Sequence, residues 1–283
     1  MKKIIITLIL VLLIGFALLH IIGRGDEYTA EKIFHAAMKA NSKIVSNPDV
    51  APPKLVSFVE NNLTKITKIY PDSKAAKGAR MALAEFYVQR KRYDDAIAAI
   101  DKVISTEADN KTLVSKAHFF KGLVYEKKDQ WDKAVKEYKL LRDEFTDTAM
   151  GLQMPLYIGR YYAEAGNTEK ARSSYEEAAK FYSDLESGNQ GNIMGYTSQS
   201  LLCQTYIILE RYEDAGIQLQ RIIANYPGDQ TYMQNLPSVE LVYINKLNNP
   251  LKALEIYKSA LNLTTSEQLK DILQTKIGEL EAK

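Results

Sequence analysis

Cysteine is nearly missing from this 283-residue chain, with Cys203 standing alone. One thiol excludes a disulfide framework and a thiolate metal cluster within a single chain. Histidine is scarce as well. His20, His35 and His118 are scattered, and none has a Cys or His partner at ligand spacing, so no metal site is expected. An excess of one charge is also lacking. The 37 basic and 35 acidic residues give a net charge of +2. Setting aside Lys2, Lys3 and Arg24 at the N-terminus leaves 34 basic against 35 acidic. Nucleic-acid binding would need a basic stripe, and there is none. Glycine gathers in the repeat region only at residues 187–192, SGNQGN, without the lysine and preceding strand of a phosphate cradle. No HExxH, P-loop or GxGxxG pattern occurs, and no Ser/His/Asp or Cys/His set can be assembled. The expectation is a protein with no catalytic residues and no cofactor: not an enzyme.

What the chain does contain is a six-residue phrase repeated five times. It reads KRYDDA at 91–96, DQWDKA at 129–134, GNTEKA at 166–171, ERYEDA at 210–215 and NNPLKA at 248–253. The closing alanines are 38, 37, 44 and 38 residues apart. Periods of this length mark a stacked array. Twelve residues before each alanine stand Ala84, Gly122, Gly159, Cys203 and Leu241. Three residues after those come Tyr87, Tyr125, Tyr162, Tyr206 and Ile244, and four after each alanine Ile100, Tyr138, Tyr175, Leu219 and Tyr257. The spacing predicts one helical hairpin per unit, with small residues where two backbones approach and rings filling the space beside them. Most of the 18 tyrosines are thereby core, and Cys203 is expected to be buried. Asn167 and Asn249 are suited to cap the second helix, with Pro250 at its first position. Asp94, Asp132, Glu169 and Glu213 favour its first turn. Tyr70-Pro71-Asp72-Ser73 and Tyr226-Pro227-Gly228-Asp229 read as helix stops.

Flanking elements follow from local signals. Residues 28–45 predict a helix with Ile33, Ala37, Ala40 and Ile44 on one face, and 54–69 another, the prolines at 48, 52 and 53 breaking the chain between them. The 44-residue interval holds an insertion, assigned to a flexible loop at 187–192. At the end, Thr265 and Gln268 predict a capping box opening a helix with Leu269, Ile272, Leu273, Ile277 and Leu280 on one stripe.

The small residue, the tyrosine three later and the alanine twelve later resemble the tetratricopeptide repeat (TPR) family over residues 76–261, in four units well and one poorly. The resemblance implies an all-α, right-handed superhelical solenoid of stacked antiparallel helix pairs. The expected organisation is an N-terminal membrane anchor or uncleaved signal segment at 1–25, a degenerate opening pair at 26–73, five hairpins at 74–264 with the last degenerate, and a capping helix at 265–283. It also implies a partner protein or peptide segment in the concave groove. Family register places Met81, Glu85 and Val88 there, then Lys116, Phe119, Leu123 and Glu126, then Gln153, Leu156 and Arg160, then Ser200, Gln204 and Ile207. Glu85, Lys116, Phe119, Leu123, Leu156, Arg160 and Gln204 are the candidate partner-binding residues.

Residues 4–22 form an uncharged apolar stretch of 19 residues, long enough to cross a hydrocarbon core as a helix. Lys2 and Lys3 precede it, so the positive-inside bias places the repeats outside the cytoplasm. A cleaved secretory signal, releasing the chain to the periplasm, is the rival. No cysteine follows the stretch for lipid attachment. The unit length and the Tyr-Pro stops resemble envelope TPR proteins, among them the lipoprotein of the outer-membrane β-barrel assembly machine and the periplasmic coordinator of the Tol–Pal system. That resemblance implies a non-catalytic scaffold on the extracytoplasmic side of the inner membrane, in envelope assembly, secretion or complex organisation. The alternative is a cytoplasm-facing, membrane-anchored adaptor that recruits or regulates a membrane enzyme. A glycan-binding or catalytic module on the same frame is a third reading, supported only by tyrosine content. Oligomeric state is not specified by the sequence.

Overall fold

The computed structural model describes residues 25–46 and 51–282. Among them every regular element is helical. The apolar stretch 4–22 lies outside the described residues, and no described helix is long and apolar enough to cross a membrane.

The chain divides into two bodies, residues 1–141 and 142–283. In the first, α1 (Asp26–Ser46), α2 (Pro53–Ile69), α3 (Lys74–Gln89), α4 (Tyr93–Thr106) and α5 (Lys111–Lys127) pack each on the next. Most of α6 (Trp131–Glu144) belongs to it as well. The expected stripe of α1 is buried at Ala37, Ala40 and Ile44. It meets Val59, Leu63 and Ile66 of α2 and the alanines of α3 in one core. Burying side chains such as Leu63 and Ile66 contributes roughly 1.5–3 kcal/mol each. Pro53 does not interrupt α2 but opens it at the first helical position, where a missing N–H is harmless. Phe58 and Ile69 of this helix are exposed.

In the second body, α7 (Ala149–Glu164), α8 (Thr168–Ser187), α9 (Ile193–Ile208) and α10 (Tyr212–Asn225) again pack successively. They are followed by α11 (Asp229–Val239), a π-helical continuation (Glu240–Lys246), α12 (Pro250–Leu263) and α13 (Glu267–Glu281). Leu269, Leu273 and Ile277 of α13 are buried in the core of this end. Its cap is Ser266, whose hydroxyl accepts from the Leu269 N–H at 3.3 Å. The expected Thr265 instead directs its hydroxyl to Asp229.

Each hairpin turn is three residues long, and its middle residue has positive φ: Lys91 57°, Asp129 56°, Gly166 73°, Glu210 58° and Asn248 47°. All five are the first residue of the repeated phrase. Beside each of the first four, the next N–H reaches back to a tyrosine carbonyl: Arg92 to Tyr87, Gln130 to Tyr125, Asn167 to Tyr162 and Arg211 to Tyr206, at 2.8–2.9 Å. This is a Schellman-type closure that satisfies carbonyls left open at the helix end.

The fifth unit keeps this closure by a shift. Its donor, Asn249, reaches Tyr243 at 2.7 Å rather than Ile244. The π-helical stretch Glu240–Lys246 adds one residue to the first helix. Tyr243, ten residues before the alanine, therefore takes the tyrosine place that nine-residue spacing assigns to Ile244. It is buried, and its hydroxyl donates to the Gly216 carbonyl at 2.6 Å.

The 44-residue interval is not filled by a flexible loop. Helix α8 has 20 residues, whereas α4, α6, α10 and α12 have 14. The insertion is thus nearly two extra helical turns. Its Tyr182 is fully buried, with the hydroxyl donating to the Leu152 carbonyl at 2.6 Å. Its Glu186, also buried, meets Arg221 of α10 at 3.3 Å. The connection that follows is pinned. The Asn192 side chain accepts from the Met194 and Gly195 N–H groups, and the Gly191 N–H donates to the Tyr226 hydroxyl at 3.2 Å.

Candidate functional site

The small register residues do more than let backbones approach. A Cβ built on Gly122 would lie 2.3 Å from the ring of Tyr138, and one on Gly159 2.4 Å from that of Tyr175. Where the partner is smaller, Ile100 or Leu219, the first helix carries Ala84 or Cys203 in the same buried cluster. Gly faces Tyr, and Ala or Cys faces a branched aliphatic residue: the summed volume is kept. Burial pushes the Cys203 thiol up to about 12, which leaves it an unreactive core group.

Tyrosines on the first helices are half-buried and roofed by cations. Arg92 lies 4.4 Å from the Tyr87 ring centroid and Arg211 4.5 Å from that of Tyr206. Lys133 covers Tyr125 at 5.6 Å and Lys170 covers Tyr162 at 5.5 Å. Arg92 also joins Glu60 at 2.8 Å and Asp95 at 2.7 Å, and Arg211 repeats the clamp with Glu176 at 3.1 Å and Asp214 at 2.7 Å. These contacts tie elements of the repeat together.

In the first body, Glu85 on α3 and Lys116 on α5 are exposed. Phe119 and Leu123 are half-buried. The Phe119 ring sits 6.1 Å from that of Tyr138, whose hydroxyl donates to Glu126 at 2.6 Å. His118 is drawn into a charged cluster: it contacts Glu137 at 2.6 Å, and Lys121 bridges Glu137 at 3.0 Å and Asp101 at 2.9 Å. Burial works to raise the Glu137 carboxyl, but hydrogen bonds from His118 and Lys121 outweigh it and hold the group below its ordinary value. Among the described residues no group of His, Cys, Asp and Glu is placed to hold a metal ion.

The second body gathers its candidates. Leu156 and Arg160 of α7 and Gln204 of α9 line one pocket of about 260 Å³. Gln153 joins them at the rim, Leu201 and Ile208 extend the apolar wall, and the Tyr175 ring, seated against Gly159, forms the back. Register counting did not select Tyr157, Leu201 or Ile208; their only sequence signal is helical spacing from Arg160 and Gln204. The Arg160 side chain is 62% exposed. It lies 5.2 Å from the Tyr157 ring centroid, with Glu164 at 3.8 Å. Burial raises the Tyr175 phenol, and the Arg160 charge opposes that rise. A second pocket of about 400 Å³ opens between α9 and α11 and shares Leu201 and Gln204 with the first. Its other walls include Tyr196, Ser200 and Gln234, the Tyr196 hydroxyl donating to Gln234 at 2.5 Å. The Ser200 hydroxyl oxygen is buried and has no hydrogen-bond partner among the described residues.

Helical hairpins of this register, with three-residue turns and small–large packing, define a helical-repeat interaction module. Tetratricopeptide-repeat models match residues 78–110, covering α3 and α4, and residues 156–184, covering the end of α7 and most of α8. Residues 78–110 and 156–184 thus each carry a tetratricopeptide repeat. Among solved structures it is similar to a thermophilic TPR protein of Thermus thermophilus, at 15% identity and TM-score 0.40, covering 71% of this chain and 98% of that one. It is similar to a tetratricopeptide repeat protein of Parabacteroides merdae at 12% identity and TM-score 0.36, covering 89% and 100%. The TPR domain of P58(IPK) is similar at 13% identity and TM-score 0.31, covering 90% and 67%. No curated protein matches the sequence.

Proposed function

We propose that the protein is a non-catalytic interaction scaffold whose α7–α9 groove holds a segment of a partner protein. We place it on the extracytoplasmic side of the inner membrane, held there through residues 4–22, in envelope assembly, secretion or complex organisation. One observation carries the groove assignment. Leu156, Arg160 and Gln204 lie on two different helices, and they line a single open pocket. Its apolar wall and polar rim suit an extended segment with alternating anchors. The membrane placement rests on the uncharged stretch 4–22 and the lysines before it.

The groove assignment is tested by crosslinking in cells followed by purification of the tagged chain. Leu156→Asp is expected to remove captured partners while circular dichroism keeps its helical amplitude; unchanged capture refutes the assignment. Alkaline phosphatase fused after Lys283 tests the membrane side. Activity is expected outside the cytoplasm, and an inactive, stable fusion favours the cytoplasm-facing adaptor.

A further inference from the structure

The two pockets of the second body differ in charge, and the difference points to a ligand sequence. Among the described residues, Arg160 is the one charged group lining the first pocket, and no charged residue lines the second. No described carboxylate lines either one. The Arg160 guanidinium stands at the rim, held only loosely by Glu164 at 3.8 Å. The apolar side chains lining the same pocket are Leu156, Leu201 and Ile208. A ligand carboxylate is stabilised at the rim, where the cation can make a charge-assisted contact. Against those apolar side chains it would be desolvated without a partner. The lining fits an acidic side chain beside Arg160 with a neighbouring aliphatic side chain against Leu156, Leu201 and Ile208.

Continuity supplies the rest. Leu201 and Gln204 belong to both pockets, so a segment seated in the first runs on into the second. There the wall is amide and hydroxyl: Gln204, Gln234 and Ser200.

We propose that this surface recognises an acidic side chain beside an aliphatic one, in a peptide segment that continues from the first pocket into the second through neutral residues. The inference rests on the groove reading above and gives it a ligand chemistry. The test probes arrays of random 12-residue peptides, each with a free and an amidated C-terminus, with the full chain. Bound peptides should be enriched in Asp or Glu next to Leu, Ile or Val, depleted in Lys and Arg, and indifferent to amidation. Arg160→Gln should weaken the acidic peptides by at least about tenfold while leaving neutral aliphatic ones unchanged. Enrichment without an acidic residue, or one untouched by Arg160→Gln, overturns the proposal but leaves the groove reading if Leu156→Asp abolishes binding. Dependence on a free C-terminus overturns it in favour of a chain-end carboxylate. Peptides insensitive to both substitutions, or no bound peptides at all, overturn both readings.

Discussion

At the scale of residues, the repeat is held by paired volumes. Gly122 exists because Tyr138 fills its space, and Ala84 tolerates a methyl because Ile100 is narrower. Gly122→Ala is therefore expected to destabilise by about 1–3 kcal/mol through overpacking. Adding Tyr138→Ile should recover much of the loss, since it recreates the Ala84–Ile100 pair. A double-mutant cycle in urea measures the coupling, and strict additivity would deny the pairing. The His118–Glu137–Lys121 cluster gives a second prediction. Glu137 titrates in the folded chain below its ordinary value of 4.5. Its stabilisation is thus present above pH 4.5 and is lost as pH falls through the lowered folded value. The stability gap between the natural chain and Glu137→Gln should shrink from about pH 7 to about pH 3.5, and a constant gap would contradict the assignment. This cluster was not legible in the sequence, because His118 and Glu137 are 19 residues apart and only the α5–α6 pairing brings them together.

Elements show which local signals bind the fold and where counting fails. Asn167 and Asn249 cap as their sequence context predicts, accepting from the Lys170 and Lys252 N–H groups at 3.1 and 3.2 Å. The turn places a left-handed residue at the head of each phrase, and only Gly166 is glycine. Side chains in that conformation cost about 1–2 kcal/mol. Glu210→Gly is expected to stabilise by about 0.5–1 kcal/mol, read as a higher urea midpoint. A lower midpoint would mean that the Glu210 side chain contributes more than its backbone costs. Spacing from the alanines located the hairpins but mis-assigned two elements. A π-helical turn adds a residue without altering the apolar pattern, so Tyr243 was passed over for Ile244. The inserted residues at the end of α8 also read as loop. SGNQGN carries the loop-like composition, whereas the extra length lies in a helix buried through Tyr182 and Glu186.

Across the whole molecule, the candidate site was legible in its register and not in its walls. Leu156, Arg160 and Gln204 follow from family positions, and they do converge. The repeat pattern makes Tyr175 a core residue, yet the same ring also lines the pocket because Gly159 lets it lie close to α7. Leu201 and Ile208 are ordinary apolar residues in any sequence, and only the placement of α9 beside α7 and α8 turns them into a wall. The most direct test of the groove compares a photoreactive residue placed at Gln153 with one at Lys180, an exposed position of α8 outside the pocket lining. Irradiation in cells should give discrete protein adducts from position 153, lost when Leu156→Asp is added, and none of the same species from position 180. Equal adducts from both positions, or adducts at 153 that survive Leu156→Asp, would contradict the account.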